Sequence, residues 1–500
     1  MPDNISETQV LEEYDLNAHE MQVHIQIVKT GDFIPQYNLT LPGIGNATKL
    51  LIGSLRGELI SLVPIDPSRI EDKAYIDEIN SKTVNAGGLL IDKYIPGTTP
   101  ETKKLLISYI VNMLLGLGEL EAPLADDNLE EIAVNGSKEY IWIFHKVYGW
   151  CKTNIKPSNE ELIYDQAEQM GRRVGREINN LTPLMDAELA DGSRVNATLY
   201  PVSQMGNTIT IRKFARNPWT MPAFILNHTI STDLASLVWI CIENEVSLLF
   251  SGGTASGKTS LLNASSIFFP PSRRIISIEE DRELTLPNYL QWVPMLTRQP
   301  NPEGKGEVSL YKLMINALRQ RPDIMLVGEV RQQKDAETLF EAIHTGHAVY
   351  GTVHADSAQD TIVRMTNPPI NIPKVMMNSI GGIFVLFRHR TKSIRRIIEF
   401  GEVLRDGNVN VMYKWNLRSD TFVQIGDMTR LADTLMLYSG LTKKDIGDEV
   451  NEKSQILNWM VKNNVVGVDD AGFVVANYYK NKSKVLKLAQ DDVKFSRDIF

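Results

Sequence analysis

The spacing of apolar positions changes along the chain. MQVHIQIVKT alternates as a strand does, and after Pro- and Gly-containing segments TPETKKLLISYIVNMLLG has helical spacing, with Thr99 placed as N-cap and Pro100 at the first helical position. EEIAVNGSKEYIWIFHKVYGWCKTNI then reads as strand, Asn-Gly turn, strand, and a helix is expected over about 160–178. DGSRVNATLYP and NTITIRKFA alternate after turn residues. RNPWTMP, 216–222, breaks the pattern and reads as a linker.

Beyond the linker the pattern is different. STDLASLVWICIEN is helical, VSLLFS is a solid apolar run, and further apolar runs alternate with helices, as in a parallel doubly wound sheet covered on both faces. After residue 390, RRIIEFGEVL and NVNVMYKW alternate, LADTLMLYSG and SQILNWMVKNN are helical, and the chain ends Lys-rich. The expected divisions are a weakly patterned N-terminal region over 1–98, an α/β domain over 99–215, the linker, a nucleotide domain over 223–390, and a C-terminal α/β region over 391–500.

Composition narrows the class. The 500 residues, 43% hydrophobic and 23% charged, suit a folded multi-domain protein. Leu105 to Leu120, the longest apolar stretch, is broken by Ser108, Asn112, two glycines and Glu119, so a buried helix is expected there and no membrane span. The net charge of −9 argues against broad nucleic-acid binding. MPDNISETQVLEEYD has neither the basic region nor the apolar core of a signal peptide, which points to the cytoplasm. Cys151 and Cys241 alone make neither a four-cysteine zinc site nor a disulfide framework, and both are expected as buried thiols.

SGGTASGKTS brings chemistry into this frame. Gly252, Gly257, Lys258 and Thr259 have phosphate-loop spacing, between an apolar strand and the helix-compatible TSLLNASSIF. From Gly252 through Gly253, Thr254, Ala255, Ser256, Gly257, Lys258 and Thr259 to Ser260, such a loop turns backbone N–H groups onto a polyphosphate. Lys258 adds a cation near the β and γ groups, and the Thr259 hydroxyl can ligate Mg2+.

Hydrolysis also needs a carboxylate that positions water. PDIMLVGEVR supplies one: Glu329 follows the apolar strand 324–327 after Gly328, and is the expected general base. Because Gly328 stands where many such enzymes carry Asp, support for Mg2+ is sought in IISIEEDREL, at Glu279, Glu280, Asp281 and Glu283; for each, a solvated turn is the plainer alternative. His344, His347 and His354 flank AVYGTV without a metal-binding spacing, so a relay or γ-phosphate sensor fits better than zinc.

With these four segments in this order, the chain resembles the secretion, pilus and archaellum motor ATPases related to type II and type IV secretion. SGGTASGKTS resembles their Walker A, IEEDREL their Asp box, LVGEVR their glycine-containing Walker B and TGHAVYGTVHADS their His box; the likeness spans roughly residues 100–390. It implies an α/β protein in which a PAS-like domain precedes a RecA-like P-loop domain, assembled as a homohexamer that uses ATP and Mg2+. EVNEKSQILNWMVKNN and VVANYYKNKSKVL look like the archaeal branch, and paired CxxC motifs are missing.

The resemblance further implies Glu329 as catalytic glutamate, Glu283 as Asp-box glutamate, His347 and His354 as the His-box pair, and Thr259 and Glu279 at Mg2+. Arg194, Arg212, Arg319 and Arg321 would be nucleotide-facing arginines. A cytoplasmic motor at the inner face of the membrane would act on a polytopic platform protein and, through it, on pilin-like subunits, with no specific nucleic acid and at most weak lipid contact through YYKNKSKVLK. A nucleic-acid motor on the same core and a nucleotide-gated scaffold are the rival classes. The acidic balance counts against the first, Glu329 against the second.

Overall fold

The computed structural model describes the chain except for residues 1–8, 19–20, 42–44, 65–72, 190, 216, 301–303 and 390–393; it divides into two compact units, Met1–Ala215 and Arg216–Phe500. Residues 1–8 of the acidic start and residue 216 of the expected linker therefore lie outside the described residues.

In the first unit the chain runs through β1 (Gln9–Ala18), β2 (Met21–Lys29), β3 (Gln36–Thr40), α1 (Asn46–Leu62), α2 (Lys73–Tyr94), α3 (Pro100–Leu115) and α4 (Glu121–Ala125). β4 (Leu129–Asn135), β5 (Trp142–His145), β6 (Gly149–Thr153), α5 (Glu160–Arg173), β7 (Leu184–Glu188), β8 (Arg194–Thr198) and β9 (Thr208–Arg212) complete it. The nine strands form one sheet in the order β1-β2-β3-β6-β5-β4-β9-β8-β7.

The Thr99 hydroxyl caps α3 by accepting from the Thr102 N–H, with Pro100 at the start of the helix, as the sequence suggests. The single strand expected after Asn135-Gly136 is instead two, β5 and β6, because Gly149 at φ 71° reverses the chain. The expected break after residue 98 separates nothing. β3 pairs with β6, and Ile25, Tyr37 and Leu90 share one core with Ile143 and Ile211.

The second unit contains α6 (Met221–Leu226), α7 (Thr232–Glu243), β10 (Leu248–Gly252), α8 (Lys258–Ser265), β11 (Arg274–Glu279), β12 (Gln291–Leu296), α9 (Leu310–Leu318), β13 (Ile324–Glu329), α10 (Gln333–His344), β14 (Ala348–Val353) and α11 (Ala358–Thr366). β15 (Gly382–His389), β16 (Ile394–Val403), β17 (Val409–Asn416), β18 (Thr421–Gln424), α12 (Arg430–Ser439), α13 (Lys443–Lys462), α14 (Val468–Lys480) and α15 (Lys482–Gln490) follow. Its sheet has the order β12-β11-β13-β14-β10-β15-β16-β17-β18, parallel through β15 and antiparallel beyond.

The solid apolar runs are explained by burial on both faces. Along β10, Leu248 and Phe250 enter one core while Leu249 enters the other; along β13, Ile324 and Leu326 go one way and Met325 and Val327 the other. The expected C-terminal region is not separate. Ile397 and Phe400 of β16, with Ile456, Leu457, Val474 and Tyr478 of the last helices, belong to the core of Phe250 and Leu261.

The linker is shorter than expected, because Thr220 caps α6 and its hydroxyl donates to the Val466 carbonyl at 2.8 Å, so 220–222 belong to the second unit. The Lys-rich tail is partly turned inward. Tyr479 donates to the Phe268 carbonyl at 2.7 Å, and Lys482 pairs with Glu449 and, at 2.6 Å, with Glu452. No helix among the described residues is long and apolar enough to cross a membrane.

Candidate functional site

β10 leads to the site because the connections around it diverge. The chain leaves β10 for β11, three strands away, returns as β14 on one side of β10, and crosses to β15 on the other. A crevice forms outside the carboxyl end of a strand at such a reversal, and the loop 252–258 lies there.

Its glycines are required by close approach. A Cβ on Gly252, at φ 151°, would collide with the Leu386 carbonyl and the Ser256 hydroxyl, and one on Gly253 would lie 3.1 Å from Asp356 Oδ1. Gly257 takes φ 100° as it caps α8. Ala255 holds φ 58°, a left-handed conformation that costs a residue with a Cβ about 1 kcal/mol, so the loop keeps its shape against local preference.

Lys258 opens α8, only 8% exposed, and its ammonium donates to the Gly253 carbonyl at 3.3 Å. Burial pushes its pKa down, while Glu329 and Glu283, and more weakly Asp356, pull it back up. Lys258 is therefore a largely buried cation under the field of carboxylates, in a loop whose tip at Thr254 and Ala255 is exposed. The curled backbone and this cation suit a polyphosphate.

Glu329 ends β13, and its carboxylate accepts from Arg331 Nη2 at 3.2 Å; Arg331 Nη1 donates to Glu280 at 2.6 Å. One guanidinium thus joins the segment after β13 to the turn after β11. His354 follows β14 and its Nε2 lies 3.0 Å from the Thr254 hydroxyl, so this histidine reaches the loop.

Glu279, 1% exposed, is mainly a turn-holding group: Oε1 accepts from the N–H groups of Glu283 and Leu284, both at 3.0 Å, and Oε2 has no hydrogen-bond partner. Burial raises its pKa to about 7. The turn leans on the P-loop helix through Asn263, which accepts from the Thr285 N–H at 2.8 Å. Among the described residues no cluster of three or more His, Cys, Asp or Glu side chains is arranged to hold a metal ion, so a Mg2+ here would depend on Thr259 and the phosphate oxygens more than on the carboxylates.

Three expected site residues lie elsewhere in this chain. His347 precedes β14, at the opposite end of that strand from His354; at about 3.3 Å per residue the two are roughly 20 Å apart. Its Nδ1 lies 3.0 Å from the Ala342 carbonyl and 3.1 Å from the Thr345 hydroxyl. Arg319 and Arg321 precede β13 and are exposed at the same far edge. A parallel sheet puts every strand's beginning on the side away from the P-loop, so these three do not join the phosphate crevice.

Arg194 and Arg212, in the first unit, are brought together as directly opposed residues of β8 and β9. Both are exposed, Arg194 Nε donating to Asp186 at 2.9 Å and Arg212 standing opposite Glu131 of β4. Sequence reasoning missed Arg331, Asp356 and Arg395, whose Nε donates to the Ala255 carbonyl of the P-loop at 3.3 Å. Only Arg331 carried a signal, its place two residues after Glu329.

A family profile described as "Type II/IV secretion system protein" matches residues 164–397. An uncharacterized protein of Methanocaldococcus jannaschii is 32% identical over 394 residues, covering 76% of this chain and 71% of the relative. The type IV secretion system protein PtlH of Bordetella pertussis is 29% identical over 279 residues, covering 51% of this chain and 80% of PtlH. Among solved structures, the Legionella pneumophila ATPase DotB superposes with a TM-score of 0.41 at 18% identity, over 75% of this chain and 94% of DotB. The pilus retraction motor PilT with bound ADP gives a TM-score of 0.42 at 16% identity, over 71% of this chain and 95% of PilT. The family profile covers the P-loop, Glu329 and His354, and the likeness to the archaeal relative extends over most of both chains: the chain belongs to the type II/IV secretion system protein family.

Proposed function

We propose that the chain is a mechanochemical ATPase that powers pilus assembly or secretion through a membrane platform protein. The observation that carries this reading is the largely buried Lys258 at the base of the P-loop, under the field of Glu329 and Glu283. Backbone N–H groups of 252–258 would hold the polyphosphate and Lys258 would neutralise its terminal groups. Glu329 would accept the proton of an attacking water, with Arg331 fixing the carboxylate. His354, through Thr254, would follow the state of the loop. Mg2+, held by the Thr259 hydroxyl and phosphate oxygens with Glu279 behind them, would supply charge neutralisation at the transferring group. Arg194 and Arg212 would contribute to turnover.

Relatives named for type IV secretion and pilus retraction support a motor working at a membrane, and by resemblance we infer a homohexamer at its cytoplasmic face, acting on a polytopic platform protein and through it on pilin-like subunits. Archaellum assembly or rotation is the alternative within this class. Lipid contact would be weak, since Tyr479 and Lys482 of the tail make internal bonds.

Crosslinked pull-down from cells with Glu329→Gln as bait tests the reading. Recovery of a polytopic membrane protein with pilin-like subunits supports pilus or secretion work, and archaellum components would move the assignment there. DNA or RNA that co-purifies and stimulates hydrolysis, with no membrane protein, would replace it with a nucleic-acid motor.

A further inference from the structure

Charge is sorted across β10. On the β14 side, the ends of β13, β14 and β11 bring Glu329, Asp356 and Glu283 toward Lys258, and the guanidinium there, Arg331, is bonded to Glu329 and Glu280. On the other side lies the β15–β16 hairpin, which carries Arg388 and Arg395.

Strand register puts this pair at the rim of the P-loop. Gly252 pairs with Leu386 of β15, so Arg388, two residues further along and on the same face, stands one strand repeat, about 7 Å, beyond the edge where the loop begins. Arg395 of β16 is directly opposite Arg388, which places both side chains on one face. The positions of three atoms identify that face as the one toward the loop: Arg395 Nε donates to the Ala255 carbonyl at 3.3 Å, and a Cβ on Gly257 would lie 3.6 Å from Arg395 Cδ and 3.7 Å from Leu386 Cδ2.

Two guanidiniums on one face offer an anion several charge-assisted hydrogen bonds. The polyphosphate is such an anion, and the sorting of charge gives it a direction. Its terminal group belongs on the carboxylate side, where water would be activated, and its nucleoside end on the arginine side.

We infer that Arg388 and Arg395 form a second anion site at the rim of the P-loop, which takes the nucleoside-side phosphate of a bound nucleotide. The inference rests on the ATPase reading and adds to it the orientation of the nucleotide and the residues that set it. The pair would serve ATP and ADP alike, because both carry that phosphate, and would contribute little to inorganic phosphate, a single group that fills the loop without reaching the rim.

Titration calorimetry with MgADP and with inorganic phosphate, on wild type, Arg388→Gln and Arg395→Gln, tests it. Each variant is expected to bind ADP at least about tenfold more weakly, the scale of one charge-assisted hydrogen bond, while inorganic phosphate affinity stays within about twofold. Arg388→Gln leaves the Arg395–Ala255 bond in place, so it decides the matter even if Arg395→Gln disturbs the loop. The rise in melting temperature on adding ADP should shrink in parallel. ADP affinity in both variants equal to wild type, or a loss of inorganic phosphate affinity as large as that of ADP, overturns the inference and leaves the ATPase reading standing. Wild type that binds no nucleotide at all would remove the reading and the inference together.

Discussion

Arg331 holds Glu329 through a 3.2 Å ion pair while its other terminal nitrogen grips Glu280 at 2.6 Å, so the proposed base is tied to a segment about fifty residues earlier. Both contacts are partly exposed, and their value lies in orientation more than in stability.

Glu329→Gln keeps the shape of the side chain and removes its basicity. Phosphate release should fall by at least about 10², the scale of general-base catalysis, with nucleotide affinity retained. Arg331→Ala should lower turnover by about tenfold without weakening nucleotide binding, and Arg331→Lys should recover part of the loss, because one ammonium replaces one arm of the fork. Normal phosphate release in Glu329→Gln removes the base; normal release in Arg331→Ala makes the bridge incidental.

Lys258 bears a burial cost that its carboxylate neighbours offset only in part. Its folded-state pKa lies below the ordinary lysine value because of burial, so the charged form is disfavoured by folding at neutral pH. That penalty is relieved only as pH rises through the lowered folded-state value. Lys258→Met should therefore melt at the same temperature as ligand-free wild type or higher near pH 7, while binding ATP at least about a hundredfold more weakly, as expected when a charged phosphate contact is lost. A clear loss of ligand-free stability would show that Lys258 serves the fold.

Glu279 predicts a pH dependence of the opposite kind. Its folded-state pKa is raised by burial to about 7, above the ordinary carboxylate value, so the folded chain binds the extra proton. Stability is greatest below the unfolded value and declines as pH rises toward 7, levelling off above it. The decline attributable to this one group is on the order of 1–3 kcal/mol. Glu279→Gln, whose Oε1 can still accept from Glu283 and Leu284, should flatten denaturation midpoints between pH 5 and 7. Superimposable wild-type and variant profiles would exclude a protonated Glu279.

How far the site could be read from sequence depended on whether its parts are joined by local spacing or by strand pairing. The P-loop was legible because its residues keep fixed spacing between a strand and a helix, and Glu329 because it ends an apolar run. His347 and His354 look equivalent as neighbours of AVYGTV, but a six-residue strand separates them. Arg319 and Arg321 precede β13 whereas Glu329 ends it, so they fall at opposite edges of the same sheet. The rim arginines could not be found, because the pairing of Gly252 with Leu386 is a tertiary fact. Residues 1–98 looked detached for the same reason: β3 finds its partner β6 more than a hundred residues later.

Arg194 and Arg212 are expected to act on turnover. Their direct opposition on β8 and β9 puts two guanidiniums on one exposed face, where Arg194 pairs with Asp186 and Arg212 stands opposite Glu131. Either residue replaced by Ala should reduce ATP hydrolysis by about tenfold or more while changing ADP affinity little, as a transition-state arginine does. Asp186→Ala, which removes the partner of Arg194, should leave turnover intact. Wild-type hydrolysis in both arginine variants would mark the pair as part of the surface of the sheet.

The last helices can be tested as part of the ATPase core through Lys453. This ammonium is fully buried and contacts Glu243 of α7 at 2.7 Å, Glu449 at 2.8 Å and the Tyr478 hydroxyl at 2.9 Å. Although burial acts to raise the Glu449 pKa, Lys453 and Lys482 hold it at about 2. Lys453→Ala would leave Glu243 without this cation and Glu449 with Lys482 alone, a loss approaching about 3–5 kcal/mol for a broken buried ion pair. The second unit should melt several degrees lower, and a chain ending before α12 should not yield a folded ATPase, since it would strip Leu457, Val474 and Tyr478 from the core shared with Phe250. A truncated chain that hydrolyses ATP with an unchanged melting temperature would make residues 430–500 an appendage, as the apolar pattern alone suggests.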